Sequence, residues 1–215
     1  TRRLLLLLMA GCLANPYQVK AQTNIPTIAN KAPALGGGVN VYKPAAYAAG
    51  IPRSLIRSFD PQQPYTLETD VYSNARTAAE VAHATQYVDG LGRPLQTVGW
   101  QASPSGKDIV APVVYDAYSR EQYKFLPYTS TGSDGTFKAD PFGEQSTFYG
   151  TTYTSEQPAY TNEKIYYSKV QYEASPLNRV LTTMASGNSW AGNNKGVQQQ
   201  YLVNDGNDLV RAWDI

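Results

Sequence analysis

Short alternations of apolar and polar residues fill the chain between residues 54 and 213, and most of them run into a polar, turn-forming cluster. Residues 54–59 read as a first strand, closed by Asp60-Pro61. Residues 75–84 have some helical propensity. However, Val81, His83, Thr85 and Tyr87 alternate with Ala82, Ala84, Gln86 and Val88, and this period of two predicts a strand running into a turn at Asp89. Leu95, Thr97 and Gly99, alternating with Gln96, Val98 and Trp100, predict the strand that returns from it. Further strands are predicted over residues 108–115, 121–125, 164–172, 180–184, 197–203 and 209–213. Residues 129–159 are polar and glycine-rich. They read either as a surface excursion or as a segment packed on a neighbour through Phe137, Phe142, Phe148 and Tyr149. The pattern predicts an all-β fold of antiparallel hairpins, sheet- or sandwich-like.

The turns repeat. Asp89-Gly-Leu-Gly92-Arg93 aligns with Asp116-Ala-Tyr-Ser119-Arg120 and, more loosely, with Ser175-Pro-Leu-Asn178-Arg179, each after a β-prone approach. Asp or Ser in first place can accept backbone N–H bonds two residues on and start a type I turn. Gly92, Ser119 and Asn178 occupy the fourth place, where a three-residue hairpin loop requires a left-handed backbone. Gly and Asn adopt it readily and Ser less so, which makes the second copy the weakest. Asn204-Asp-Gly-Asn207 predicts a further hairpin. The recurring Arg93, Arg120 and Arg179 each begin the strand that leaves a turn. They are expected to reach a neighbouring hairpin and stack successive units, with tyrosines between them, rather than serve as solvated charges.

Composition places this β-rich chain outside the cell. The 215 residues include 17 Tyr against 5 Phe, with 17 Gly and 14 Pro, a mixture suited to short strands and tight turns. A net charge of +1 provides no basic field for nucleic acid. Residues 1–21 read as a secretory signal. Arg2-Arg3 precede an apolar run of about eleven residues, too short to span a bilayer, then come Asn15-Pro16 and small residues at Val19 and Ala21. The rival reading is a lipoprotein signal, in which Met9-Ala-Gly-Cys12 places Cys12 for acylation and tethers the chain to a membrane. Residues 22–50, with Gly36-Gly-Gly38, read as a flexible leader, and residues 51–215 as the β-rich domain. The strand-like residues 209–213 make a poor free terminus, so the chain reads as the N-terminal part of something longer.

Candidate chemistry is sparse. Gly187-Asn-Ser189-Trp-Ala191 comes within one substitution of a nucleophile elbow, but hydrolases with that turn carry their histidine after the serine, and the single His83 precedes it. His83 therefore reads as a half-buried strand residue. One histidine and one cysteine exclude a transition-metal site. Asn204, Asp205, Asn207 and Asp208 have oxygen donors but match no calcium loop. No catalytic, metal or cofactor residue is assigned. Trp100, Trp190 and Trp213, with the tyrosines, are either core and strand packing or a surface for stacking sugar rings.

Tyr115-Asp116-Ala-Tyr-Ser-Arg120 departs from Tyr-Asp-x-x-Gly-Arg only at Ser119, and Asp89-Gly-Leu-Gly-Arg93 departs only at Val88 before the Asp. These units resemble the tyrosine-aspartate (YD) repeats of Rhs proteins. Tyr87 to Val98, Gln101-Ala-Ser-Pro-Ser-Gly-Lys-Asp108, Leu126-Pro-Tyr128 and Glu173-Ala-Ser-Pro-Leu-Asn-Arg-Val180 are together similar to the uncharacterised N-terminal domain of large secreted Rhs-type bacterial proteins. The resemblance covers roughly residues 54–213. It implies secretion and a structural, non-enzymatic role against a downstream repeat shell of the same polypeptide, often with a C-terminal toxin. The alternative is an extracellular carbohydrate-binding module with cell-surface glycans as partners.

Overall fold

In the computed structural model, which describes Leu35 and residues 40–73, 75–157, 160 and 162–202, the alternations form two antiparallel sheets. The first contains β1 (Ser54–Pro61), β2 (Val81–Val88), β3 (Pro94–Gly99), β4 (Ile109–Pro112) and β6 (Tyr128–Thr129), in the order β1-β2-β3-β4-β6. The second contains β5 (Tyr123–Phe125), β7 (Tyr167–Tyr172), β8 (Val180–Met184) and β9 (Val197–Gln198), in the order β5-β7-β8-β9. The all-β class holds. The register of β2 and β3 shifts between Tyr87 and Val88, so Leu95 is an extra residue in a bulge. Its carbonyl turns instead to the Val113 N–H and the Tyr47 hydroxyl.

Two apolar clusters match the two sheets. Tyr87, Val98, Val110 and Tyr128 are buried in the first, with Phe137, Phe148 and Tyr149 packed on them. Ile165, Tyr167, Met184 and Ala191 are buried in the second, backed by Leu35, Tyr123 and Phe125. The period-two expectation is met on β2, where Val81, Thr85 and Tyr87 face inward.

The turn at Asp116 differs from a simple hairpin. Its flanks touch through a single bridge, Val113 with Lys124, after which β4 joins the first sheet and β5 the second. Val110 is drawn to one core and Tyr123 and Phe125 to the other, so the turn becomes the corner between sheets.

Residues 129–159 are the packed segment, and they contain a helix that the sequence reading did not anticipate. Asp140 caps α1 (Pro141–Thr147) by accepting the Gly143 N–H, with Pro141 at the first turn. A π-helical turn (Phe148–Thr152) and α2 (Tyr153–Glu156) continue it. Phe142 is buried against Phe125, while Glu144 accepts from the Tyr128 and Ser130 hydroxyls, so the helix touches both sheets. Before it, Gln96 exchanges two hydrogen bonds with the backbone of Lys138. The Lys138 ammonium lies 2.9 Å from Asp108, a fully buried carboxylate that also accepts the Gln101 and Gly135 N–H groups.

The described part of the leader lies against the domain. Tyr42 stacks on Tyr123 with ring centroids 4.1 Å apart, and Tyr47 packs near Phe137 while bonding the Leu95 carbonyl. Residues 1–21, read as a signal and containing Cys12, the hairpin expected at Asn204, residues 209–213 with Trp213, and the four calcium candidates lie outside the described residues.

Candidate functional site: a ladder of braced turns

The three predicted turns are built alike. Asp89 Oδ1 accepts the Leu91 and Arg93 N–H groups, the Asp89 and Arg93 backbones pair, and the Arg93 guanidinium returns to Asp89 Oδ2 at 2.7–2.8 Å. Asp116 repeats this with Tyr118 and Arg120, its Oδ2 lying 2.8 Å from Arg120 Nε. Gly92, Ser119 and Asn178 have φ of 77°, 62° and 53°, the left-handed conformation expected at the fourth place.

The third turn corrects the alignment in one respect. It is two residues longer, and the work of one Asp is divided between two side chains. Ser175 accepts the Leu177 N–H and starts the turn, as anticipated. Glu173, which aligning on the arginine had left outside the unit, holds Arg179 through Nε and Nη2 at 2.8–2.9 Å, and accepts the Ser175 hydroxyl. The signal was present in Tyr172-Glu173, an aromatic–acid pair like Tyr115-Asp116.

These contacts hold the carboxylates ionised. Hydrogen bonds from Arg179, then from Ser175, bring Glu173 down to about 2. Asp89 is lowered chiefly by the Arg93 backbone N–H. At Asp116, partial burial opposes ionisation, but the Arg120 backbone and side-chain bonds outweigh it.

Each arginine also reaches forward. Arg93 Nη1 donates to Ser119 Oγ at 2.7 Å, and its guanidinium lies 4.8 Å over the Tyr115 ring. Arg120 Nη1 donates to Asn178 Oδ1 at 2.8 Å, and its guanidinium lies 4.5 Å over Tyr172 and 4.9 Å over Tyr118. Arg179 lies 4.8 Å over Tyr201. Arg93 and Arg120 thus each use one planar fork to close their own turn, to bond the left-handed residue of the next, and to cover the tyrosine that precedes it, while Arg179 closes its turn and covers Tyr201. Val88 stands where the two later turns have Tyr115 and Tyr172. Because the first two rungs join the first sheet to the corner and the corner to the second sheet, the row of turns stitches the two sheets along one side.

Away from the ladder, a cleft of about 340 Å³ is lined by Arg57, Phe59, Tyr72, Arg76, His83 and Trp100 among others. His83 stacks on Phe59 at 4.8 Å, and Trp100 is fixed through its indole N–H to the Ser133 carbonyl. Partial burial, and then Arg57, lower the His83 pKa and keep the ring neutral. Ser189 is exposed in a turn after β8, while His83 belongs to β2 of the other sheet, so the structure assembles no elbow with a base. Trp190 is 51% exposed. Among the described residues, no group of three or more His, Cys, Asp or Glu side chains can hold a metal.

Two antiparallel sheets stitched by arginine-braced turns define a hairpin-ladder β-domain. The chain belongs to the family described as domain of unknown function DUF6443, whose family model matches residues 61–203. No curated protein and no solved structure matches it.

Proposed function

We propose that the chain is a non-enzymatic structural module of a secreted Rhs-type repeat protein, packing against a downstream β-shell of tyrosine-aspartate hairpins, a kind of shell that often carries a C-terminal toxin. The observation that carries this reading is the ladder. A turn motif that braces itself and then engages the next copy is suited to propagating a stack, and its side chains are occupied by packing rather than poised for reaction. Export fits the signal-like residues 1–21, with a membrane tether only if Cys12 is lipidated. Fusing two consensus Tyr-Asp-x-x-Gly-Arg hairpins after Ile215 tests the proposal. The added units are expected to melt with the domain in one transition, at a higher temperature. Separate melting, with the added hairpins still open to protease, would sink it.

The cleft lined by Trp100 favours a second reading, an extracellular carbohydrate-binding module. Fixed aromatic rings beside arginines offer the mixed apolar and polar surface that sugars need. Saturable signals on a glycan array, lost on Trp100→Ala or Trp190→Ala, would favour it over a purely structural role.

A further inference from the structure

One margin of the first sheet is long and open. β1 is an edge strand of eight residues and, among the described residues, it bonds only to β2. The other margins, β5, β6 and β9, have three, two and two residues. Edge strands usually discourage further pairing by being short, or by holding a bulge, a lysine or an internal proline. From Ser54 to Asp60, β1 has none of these, and its register with β2 is unbroken. Leu55 and Ile56 are 51% and 59% exposed.

The register shows which backbone groups are open. Gln62 donates its N–H to the Glu80 carbonyl, one step beyond the pairing of Pro61 with Val81. Alternate residues make the bonds in an antiparallel pair, so Ser54, Ile56, Ser58 and Asp60 bond β2. Leu55, Arg57 and Phe59 turn their N–H and C=O groups to the open side, where they meet no backbone partner among the described residues.

A second copy of the strand fits this edge in one register. Only even sums of residue numbers set outward groups against outward groups. With Ile56 opposite Ile56 of the second copy, Leu55 faces Arg57, Phe59 faces Arg53 and Ser54 faces Ser58, so no like charges meet. Sliding by two residues one way sets Arg57 against Arg57, and the other way sets Arg53 against Arg57; like charges directly opposite are destabilising. Sliding further the first way brings Pro61, which has no N–H, opposite Leu55. The ladder also leaves this edge free. Its rungs run from the β2–β3 turn through the corner after β4 to the β7–β8 turn, whereas β1 bounds the first sheet at the margin away from that corner.

We infer that the chain forms a symmetric dimer in which two β1 edges pair antiparallel about Ile56, joining the first sheets of both copies into one. This goes beyond the structural-module reading and rests on different residues.

Sedimentation and cysteine cross-linking of the full chain carrying Cys12→Ser test it. The parent should sediment as a dimer. Ile56→Cys should cross-link to its counterpart on mild oxidation, because opposed residues that do not bond each other lie about 4.5 Å apart at Cα, within disulfide reach. Leu55→Cys and Arg57→Cys, whose counterparts lie about 7–8 Å away on the diagonal, should cross-link about tenfold more slowly or less. Arg57→Pro removes an N–H that the dimer uses and none that β2 uses, so it should give a monomer with parental circular dichroism. A monomeric parent overturns the inference, whether its Leu55 and Arg57 amides exchange freely or are protected by another segment of the chain. So does a dimer that cross-links best through Leu55→Cys or Arg57→Cys, or one that persists in folded Arg57→Pro. Each of these results leaves the ladder, and the reading built on it, in place.

Discussion

Replacing Arg120 by alanine is the sharpest test of the ladder, because this side chain sits at the corner between the sheets and serves both turns. Its side chain is 21% exposed. Two bonds are lost, to Asp116 and to Asn178, each contributing about 1–1.5 kcal/mol once solvent competition at a partly exposed site is allowed for. Loss of stacking between Tyr118 and Tyr172 adds about 0.5–1 kcal/mol. Side-chain freedom lost on folding, up to about 2 kcal/mol for arginine, offsets part of this. The net is a destabilisation of about 2 kcal/mol, or about 4–8 °C in the melting temperature of a domain this size. Differential scanning calorimetry of the parent, Arg120→Ala and Arg120→Lys reads it directly. Lysine keeps the charge but cannot hold Asp116 and Asn178 with one planar fork, so it should lose more than half as much as alanine. Lys124→Ala, with a side chain 62% exposed and an ion pair at 4.0 Å, serves as the control that should not move. If Arg120→Ala melts within about 1 °C of the parent, or if Arg120→Lys is neutral, the arginines are turn signatures only and the stitching argument goes.

The acid limb of the stability curve should report Glu173. Its pKa falls from 4.5 to about 2 on folding, so the folded chain binds fewer protons between those values; this contribution is complete above about pH 4.5 and lost as pH drops through about 2. Glu173→Gln should therefore flatten the fall in melting temperature over that window, and an unchanged slope would dismiss the Glu173–Arg179 brace. Lys138→Met leaves the buried Asp108 carboxylate without its cation and should cost about 3 kcal/mol in urea unfolding, whereas a loss below about 1 kcal/mol would show that the Gln101 and Gly135 amides suffice. Ser119→Asn keeps an acceptor for Arg93 while easing a backbone at φ 62°, so it should stabilise by about 0.5 kcal/mol, and destabilisation would contradict the left-handed assignment.

What the sequence disclosed was local, and what it concealed depended on packing. The period of two located β2, β3 and β8, and an Asp or Ser followed by Gly, Ser or Asn before Arg located the turns, since both rules act within a few residues. No local rule states which sheet a strand will join. The Asp116 turn has the same contacts as the Asp89 turn, but only the pull of Val110 and Phe125 toward separate cores makes it a corner. The helix from Pro141 was signalled by Asp140-Pro141 and by aromatics at 142, 148, 149 and 153, but glycines at 143 and 150 masked it. Glu173 was hidden by a two-residue lengthening of its loop, because alignment on Arg179 placed Ser175 where the acid was expected.

The ladder is directional, and this explains where its motif is imperfect. A turn needs an acid and an arginine to close itself, but it needs a tyrosine before the acid only if an earlier arginine arrives there. The first turn has none to receive, and Val88 stands in that place, paired with Ser54 in the sheet. The second and third turns do receive one, on Tyr115 and Tyr172. Ser119 and Asn178 stand where the first turn has Gly92 for the same reason: an arriving guanidinium needs a side-chain oxygen, which glycine lacks. Gly92 receives no arginine and keeps the residue that suits its backbone best. The differences among the three turns are thus position-dependent: backbone ease decides the first unit, and the demands of the preceding rung decide those that follow.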